Sequence, residues 1–139
     1  MSDTIWLEVF DGTDKTGGDR DNSMILRLGE ELAAVATELG VPKLSTFYDS
    51  SALADAYAGE FEDAELPPVE PAWFDAADGL RAVAALLEAV RGGSMQARLK
   101  LDATRSHWPQ MLLEELEYCH GALTHAAERG QRFHFLVVH

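Results

Sequence analysis

The pattern of apolar and polar residues predicts a strand at each end of the chain. Residues 4–10 (TIWLEVF) and 132–138 (RFHFLVV) both alternate with a period of two, as in a strand whose successive side chains point to opposite faces. Both faces of the first segment are rich in apolar residues, so helices or loops should cover part of each. We expect the two strands to pair in the centre of a small sheet. The pattern leaves open whether they run parallel or antiparallel.

Three longer segments show a helical pattern instead. Their apolar residues recur at three- and four-residue steps, which is typical of the buried stripe of an amphipathic helix. This predicts helices over 23–39, 76–91 and 108–129. The stripes are Ile25, Leu28, Leu32, Val35 and Leu39 in the first, Leu80, Val83, Leu87 and Val90 in the second, and Leu112, Leu116, Cys119, Leu123 and Ala126 in the third.

Capping and solvent-facing residues complete these helices. Asp75 is placed to cap the second helix, because its side-chain oxygen can accept a hydrogen bond from the first turn. Gly40 can take the left-handed conformation that ends the first helix. On the third helix, Glu114, Glu115 and Glu117 are expected to face solvent.

The remaining segments are less regular. Residues 11–22 are dense in turn-forming residues and predict a loop. Residues 43–59 should hold a loop and one short helix packed on the body. Residues 95–101 alternate with a period of two, so an edge strand is expected there, although a short helix fits as well. Residues 60–71 contain three prolines, five acidic residues and no basic residue, and they predict an extended surface loop.

The expected fold class is therefore α+β. We predict a helix-rich single domain over residues 1–139, with a small two- or three-stranded sheet formed by the N- and C-terminal strands. The element order is β–α–α–α–(β)–α–β. A chain of this size can bury enough apolar surface to fold without a metal or a disulfide.

The charge narrows the range of partners. The 139 residues include 24 acidic and 11 basic side chains, which gives a formal net charge of −13, and residues 1–71 hold 16 of the acidic and 4 of the basic ones. Such a surface repels nucleic-acid phosphates and anionic membranes, and it attracts basic proteins. We therefore expect no nucleic acid or membrane as partner, and a basic protein is the natural candidate.

Three further features predict a cytoplasmic protein. Cys119 is the one cysteine, so no intrachain disulfide can form, which fits a reducing compartment. The N-terminal residues lack the basic and long apolar regions of a signal peptide. No apolar run approaches the roughly 20 residues that span a bilayer.

Two groups of residues carry side chains that can bind a metal ion. The first comprises Asp11, Asp14, Asp19, Asp21 and Asn22, whose oxygens could bind a hard cation such as Ca²⁺. Their spacing lacks the glycine and the glutamate of an EF-hand loop, so a solvated turn is the better interpretation. The second comprises His107, His120, His125, His134 and His139.

The histidines do not form a metal-binding pattern either. His120 and His125 are about 140° apart around a helix. Glu117 and His120 form one Glu-x-x-His pair, whereas a di-iron helical bundle needs two. We expect surface or half-buried histidines, with no metal and no cofactor.

No catalytic residue is predicted. Cys119 lies in an apolar stripe, and the neighbouring His120 points about 100° away on the helix, so the thiol lacks a facing base. Glycine fingerprints of nucleotide-binding loops and the nucleophile motif of hydrolases are both missing from the sequence. The chain therefore favours a non-enzymatic role, without excluding an enzyme.

Two functional hypotheses follow. The leading one is a non-enzymatic cytoplasmic interaction protein that presents an acidic face to a basic protein partner, of which an inhibitor or immunity-type protein is one concrete version. The alternative is a small-molecule binding domain or enzyme with a pocket between the sheet and the aromatic segment 44–74. The candidate partner-binding residues are Glu60, Phe61, Glu62, Asp63, Glu65 and Leu66, and the candidate pocket residues are Tyr48, Tyr57 and Trp73.

Overall fold

A computed structural model describes residues 3–18, 20–51, 71–92 and 108–138. Within these ranges the chain forms five strands, four helices and one 3₁₀ turn, and the predicted α+β class is confirmed. In chain order the elements are β1 (Thr4–Phe10), β2 (Lys15–Gly17), α1 (Ser23–Arg27), α2 (Gly29–Leu39), the 3₁₀ turn (Leu44–Phe47), β3 (Tyr48–Asp49), β4 (Phe74–Asp75), α3 (Ala76–Arg91), α4 (Trp108–Glu128) and β5 (Arg132–Val138).

The terminal strands form the centre of the sheet, as predicted. β1 and β5 pair along their full lengths, from Thr4 opposite Val138 to Phe10 opposite Arg132, and they run antiparallel. β2 pairs with the other edge of β1 and makes the predicted loop 11–22 partly a hairpin. The second edge of β5 carries two short strands in succession, of which β3 is parallel and β4 antiparallel to it.

One face of this sheet carries the helices. Ile5 and Leu7 of β1 and Phe133 and Phe135 of β5 are at most 2% exposed and belong to the main apolar cluster. α3 and α4 pack side by side. The approach of α3 to the sheet needs Gly79, because a Cβ atom at this position would collide with the Phe133 ring.

The prediction of one continuous helix over 23–39 is wrong, because the structure has two helices there, α1 and α2, with a break at Leu28. Leu28 is buried as expected, but Leu39 is 48% exposed. The helix has already passed the edge of the core when Gly40, in the left-handed conformation, ends it. Val41 then turns back and packs against the core in place of Leu39.

The other two helices match their predictions closely. All five stripe residues of α4 are buried. α3 has the predicted bounds, although Leu80 and Val90 are only half-buried. Asp75 is the N-cap residue of α3, as predicted, but its side chain makes no capping hydrogen bond, and its backbone belongs to β4. The buried face of α3 comprises Ala76, Gly79, Ala82, Val83, Leu86 and Leu87.

Some predictions fall on other parts of the chain. The segment 95–101 lies outside the described residues, as do residues 52–59 of the predicted short helix. The preceding residues form the 3₁₀ turn and β3. The assignment of 1–139 to a single domain stays a prediction.

Candidate functional site

A buried polar network lies on the face of the sheet opposite the helices, with His134 at its centre. His134 is 1% exposed and stands directly opposite Glu8 in the β1–β5 register. Its Nε2 atom is 2.8 Å from Oε1 of Glu8, and its Nδ1 atom is 2.7 Å from the carbonyl oxygen of Ala72. The alternation that sends Phe133 and Phe135 into the core turns His134 to this second face.

Asp49 extends the network from β3. Its Oδ1 atom accepts the backbone N–H of Ala72 at 3.1 Å, and its Oδ2 atom accepts the Ser51 hydroxyl at 2.5 Å. On the opposite side, Nζ of Lys15 is 3.5 Å from Oε2 of Glu8. Every buried side-chain nitrogen or oxygen in the described ranges has a hydrogen-bond partner.

Trp73 covers the network. Its ring stacks on the His134 imidazole with centroids 3.9 Å apart and planes 8° apart, and it also stacks on Phe10 at 4.8 Å. Ala72 and Trp73 are therefore held on the sheet by both hydrogen bonds and ring stacking. The network fastens the segment before α3 to the outer face of the sheet.

The network does not have the arrangement of a nucleophile and its base. The Ser51 hydroxyl donates to Asp49, and its contact is with this carboxylate instead of with His134. The expectation that the histidines are surface or half-buried is wrong for His134. One sequence signal could have located it, because Glu8 and His134 are polar residues within strands that are otherwise mainly apolar.

A second buried carboxylate lies among the helices. Glu115 of α4 accepts the backbone N–H groups of Met24 and Ile25, at 3.2 and 3.0 Å, and so caps the short helix α1. It was expected to face solvent, which is wrong because α1 lies against it and supplies no side-chain cap of its own. Burial raises the pKa of Glu115 in spite of these hydrogen bonds.

Cys119 is part of the same buried region. It is fully buried, and its Sγ atom lies 3.8 Å from Oδ1 of Asn22. Burial raises its pKa to about 12, so the thiol is protonated at neutral pH. The core position predicted for Cys119 is confirmed.

Of the predicted pocket residues, Tyr48 does not border the groove that Trp73 lines. Tyr48 is half-buried and makes an edge contact with Phe135, and burial raises its pKa to about 12. Trp73 borders an open groove of about 470 Å³ that also involves Arg81 and Arg132. Tyr57 and the six predicted partner-binding residues, which are Glu60, Phe61, Glu62, Asp63, Glu65 and Leu66, lie outside the described residues.

The outer face of α2 is acidic. Glu30, Glu31 and Glu38 line a shallow groove of about 420 Å³ together with Ala34 and Val35. No lysine or arginine occurs between residues 28 and 42. Near the end of the helix, the side chain of Leu39 is exposed. We refer to Glu30, Glu31, Ala34 and Glu38 as the α2 face.

A more enclosed cavity of about 330 Å³ lies between the β1–β2 hairpin and α4. Asp11 and Asp14 line it on the hairpin side, and His125 and Arg129 line it on the helix side. The Asp11 carboxylate accepts the N–H groups of Thr13 and Asp14, and these bonds lower its pKa. The apolar residues that line this cavity include Leu7, Val9, Ala122 and Ala126.

Neither a metal site nor a membrane-spanning helix is present in the described ranges. They contain no group of three or more His, Cys, Asp or Glu side chains arranged to hold a metal ion. None of the helices described is both long enough and apolar enough to cross a bilayer.

A comparison of the chain with models of known protein families, with curated proteins and with solved structures finds no match in any of the three. The function is therefore inferred from the geometry of the chain itself.

Proposed function

We propose that this protein is a non-enzymatic, cytoplasmic interaction protein that binds a basic protein partner through the α2 face. One observation carries the proposal: Glu30, Glu31 and Glu38 line one groove together with the apolar side chains of Ala34 and Val35, with no basic residue nearby in sequence. A mixture of carboxylates and apolar groups complements a surface on which lysines or arginines surround an apolar side chain.

The distribution of the other carboxylates supports this choice of face. Glu8, Asp49 and Glu115 are buried, and their oxygens accept hydrogen bonds from within the chain. Glu30 and Glu31 border a groove that is open to solvent. The long-range attraction of a basic partner therefore depends on exposed groups such as these, and it should raise the association rate. An inhibitor or immunity-type role is one form that such binding can take.

The experiment uses a synthetic amphipathic peptide, with lysines on both sides of a leucine stripe, as the probe. We expect Glu30→Gln with Glu31→Gln to lower its association rate by about tenfold at low salt, because steering is lost. Added salt should lower the wild-type rate and have less effect on the variant. The matched control, Glu88→Gln with Glu128→Gln, removes the same charge from exposed positions on α3 and α4.

Equal effects of the two double variants would contradict a specific α2 face and leave only general attraction to an acidic protein. Chemical shifts of the backbone amides give a second readout. Peptide-induced shifts should be concentrated on α2, and shifts spread evenly over all acidic surfaces would also contradict the proposal.

The acidic segment 60–71 is tested separately as a second docking region. Replacing Glu60, Glu62, Asp63 and Glu65 by Gln and Asn removes four charges without altering the α2 face. If this segment contributes, the association rate of the peptide falls and its salt dependence weakens. Unchanged kinetics would remove the segment from the docking surface and leave α2 alone.

Small-molecule binding is the second candidate function, and one observation favours it. The cavity between the hairpin and α4 has carboxylates on one side, His125 and Arg129 on the other, and apolar residues between them. This arrangement suits a small zwitterion with an apolar body, with its ammonium group near Asp14 and its carboxylate near Arg129.

Leucine and two of its derivatives test this candidate. Leucine should shift the amide resonances of Gly17 and Ala126, whereas N-acetyl-leucine and leucinamide, which each lack one charge, should bind far less. Arg129→Gln should abolish binding, and Arg132→Gln, which does not border the cavity, should leave it unchanged. Equal binding of all three compounds, or no shift with any of them, would contradict a zwitterion site.

A further inference from the structure

Residues 71–75, which we call the strap, are attached to the outer face of the sheet at several points. The backbone of Ala72 contacts both His134 and Asp49, through its carbonyl oxygen and its N–H group respectively. Trp73 stacks on His134. Farther along, Phe74 pairs with β5. The two hydrogen bonds of Ala72 and the stacking of Trp73 all involve either the His134 ring or the neighbouring Asp49 carboxylate.

The hydrogen-bond partners determine how many protons the His134 ring needs. The carbonyl oxygen of Ala72 can only accept, so Nδ1 of His134 must carry a hydrogen and donate it. Nε2 lies 2.8 Å from Oε1 of Glu8, and an unprotonated nitrogen there would face the lone pairs of a carboxylate. One further proton must therefore lie between Nε2 and Oε1, either on the imidazolium or on the carboxylic acid.

Basic, acidic and aromatic side chains all lie close to this shared proton. The groups that face the pair in the described ranges are Lys15 on β2, Asp49 on β3 and Trp73 on the strap. Oδ2 of Asp49 lies 3.9 Å from Nδ1, and stacking on an indole stabilises a cationic imidazolium. Lys15 is 3.5 Å from the other oxygen of Glu8, but its side chain is 63% exposed, so water screens its charge.

We propose that the proton shared by Glu8 and His134 is a latch that holds the strap on the sheet. When the pH rises and this proton is lost, a buried carboxylate faces a buried lone pair. Unpaired polar groups are costly in a site that is only 1–8% exposed. The ring then turns or moves away from Glu8, and it loses its bond to Ala72 and its stacking on Trp73. The strap is thus seated at lower pH and released at higher pH.

The experiment follows the Trp73 indole and Ala72 amide resonances of the full chain as the pH is raised, together with the ring nitrogens of His134. In the wild type, the Trp73 and Ala72 resonances should both move as Glu8 and His134 lose the proton that they share. In Glu8→Gln, the amide donates an N–H to the unprotonated Nε2, so no shared proton is needed and both resonances should stay in place. Lys15→Gln is the matched control, and its profile should follow that of the wild type.

Identical pH profiles for the wild type and Glu8→Gln would overturn the latch. Wild-type strap resonances that do not move up to the pH of global unfolding would also overturn it. If Glu8→Gln fails to fold, His134→Asn provides the same contrast, because its amide can donate to the Ala72 carbonyl and has no titratable proton. A pH-dependent strap in that variant would show that other groups control the movement.

Discussion

Two carboxylates, Glu8 and Glu115, are buried to nearly the same extent but in different surroundings. Glu8, on the outer face of the sheet, is 6% exposed, and Glu115, among the helices, is 7% exposed. Glu8 contacts His134 and Lys15, which can both carry a positive charge. Glu115 accepts hydrogen bonds from two backbone N–H groups of α1, and burial raises its pKa.

At Glu115, two backbone hydrogen bonds do not offset the effect of burial on the pKa of the carboxyl group. Two N–H groups satisfy the oxygens of Glu115, but they supply only partial charges, so desolvation remains the larger effect on its pKa. Glu8 has in His134 a buried partner that can neutralise its charge as well as form a hydrogen bond with it. We therefore expect the two sites to respond differently to truncation and to pH.

The largest expected effect is that of Glu8→Ala. This change removes one partner of a buried pair and leaves Nε2 of His134 unsatisfied, so the free energy of unfolding should fall by about 3–5 kcal/mol. Urea denaturation at neutral pH measures it, with Glu88→Ala as a solvent-exposed control. A loss of less than about 1 kcal/mol would show that His134 finds another partner and that the pair is not essential to the fold.

Leu116→Ala provides an apolar reference next to Glu115 on the same helix. Leu116 is fully buried, so its truncation should lower the free energy of unfolding by about 2–5 kcal/mol through lost contacts and a cavity. The matched control is Met111→Ala, measured by the same denaturation, because Met111 is an apolar residue of α4 that is 45% exposed. A change in Leu116→Ala of only about 0.5 kcal/mol, as at a surface site, would mean that α4 packs through another face.

Glu115→Ala should have a smaller effect, of about 1–3 kcal/mol, because it leaves the N–H groups of Met24 and Ile25 without their acceptors. Its pH dependence distinguishes this site further. Folding raises the pKa of Glu115, so the folded chain binds this proton more tightly than the unfolded chain. The contribution of Glu115 to stability is therefore largest in acid, and it declines as the pH rises above the unfolded value of about 4.3.

Comparison with Glu115→Gln isolates that dependence. The stability of the wild type relative to this variant should decrease as the pH rises, whereas Glu114→Gln, at the exposed neighbouring position, should differ from the wild type by a nearly constant amount. A relative stability that instead increases with pH would contradict the direction of the Glu115 shift.

The smallest expected effect concerns Cys119, which lies near Glu115 in the core. Because burial raises its pKa to about 12, the native thiol should not react with an aromatic disulfide reagent at the mildly alkaline pH where an exposed cysteine reacts readily. Labelling should appear only when denaturant unfolds the chain. Rapid labelling of the native protein would place Cys119 at the surface and weaken the description of this region as closed.

The elements that could be predicted are those whose signal is local. The α4 stripe from Leu112 to Ala126 and the alternating strands β1 and β5 were correctly placed, because neighbours two, three or four residues apart determine which face is apolar. Leu39 fits the same helical pattern and is nevertheless exposed, because the pattern does not show where the core ends. Of the predicted site residues, Trp73 lies beside the buried network, and Tyr48 does not border the groove that Trp73 lines.

The sequence by itself determined the periodicity of the strands and helices and the concentration of negative charge in the first half of the chain. Only the tertiary structure decided which polar residues meet. Glu8 and His134 are 126 residues apart, and Glu115 lies 90 residues from the N–H group of Ile25 that it caps. Such contacts depend on strand register and on how one helix packs against another, and neither is encoded in the spacing of nearby residues. For this reason, two glutamates that look alike in the sequence lie in such different surroundings.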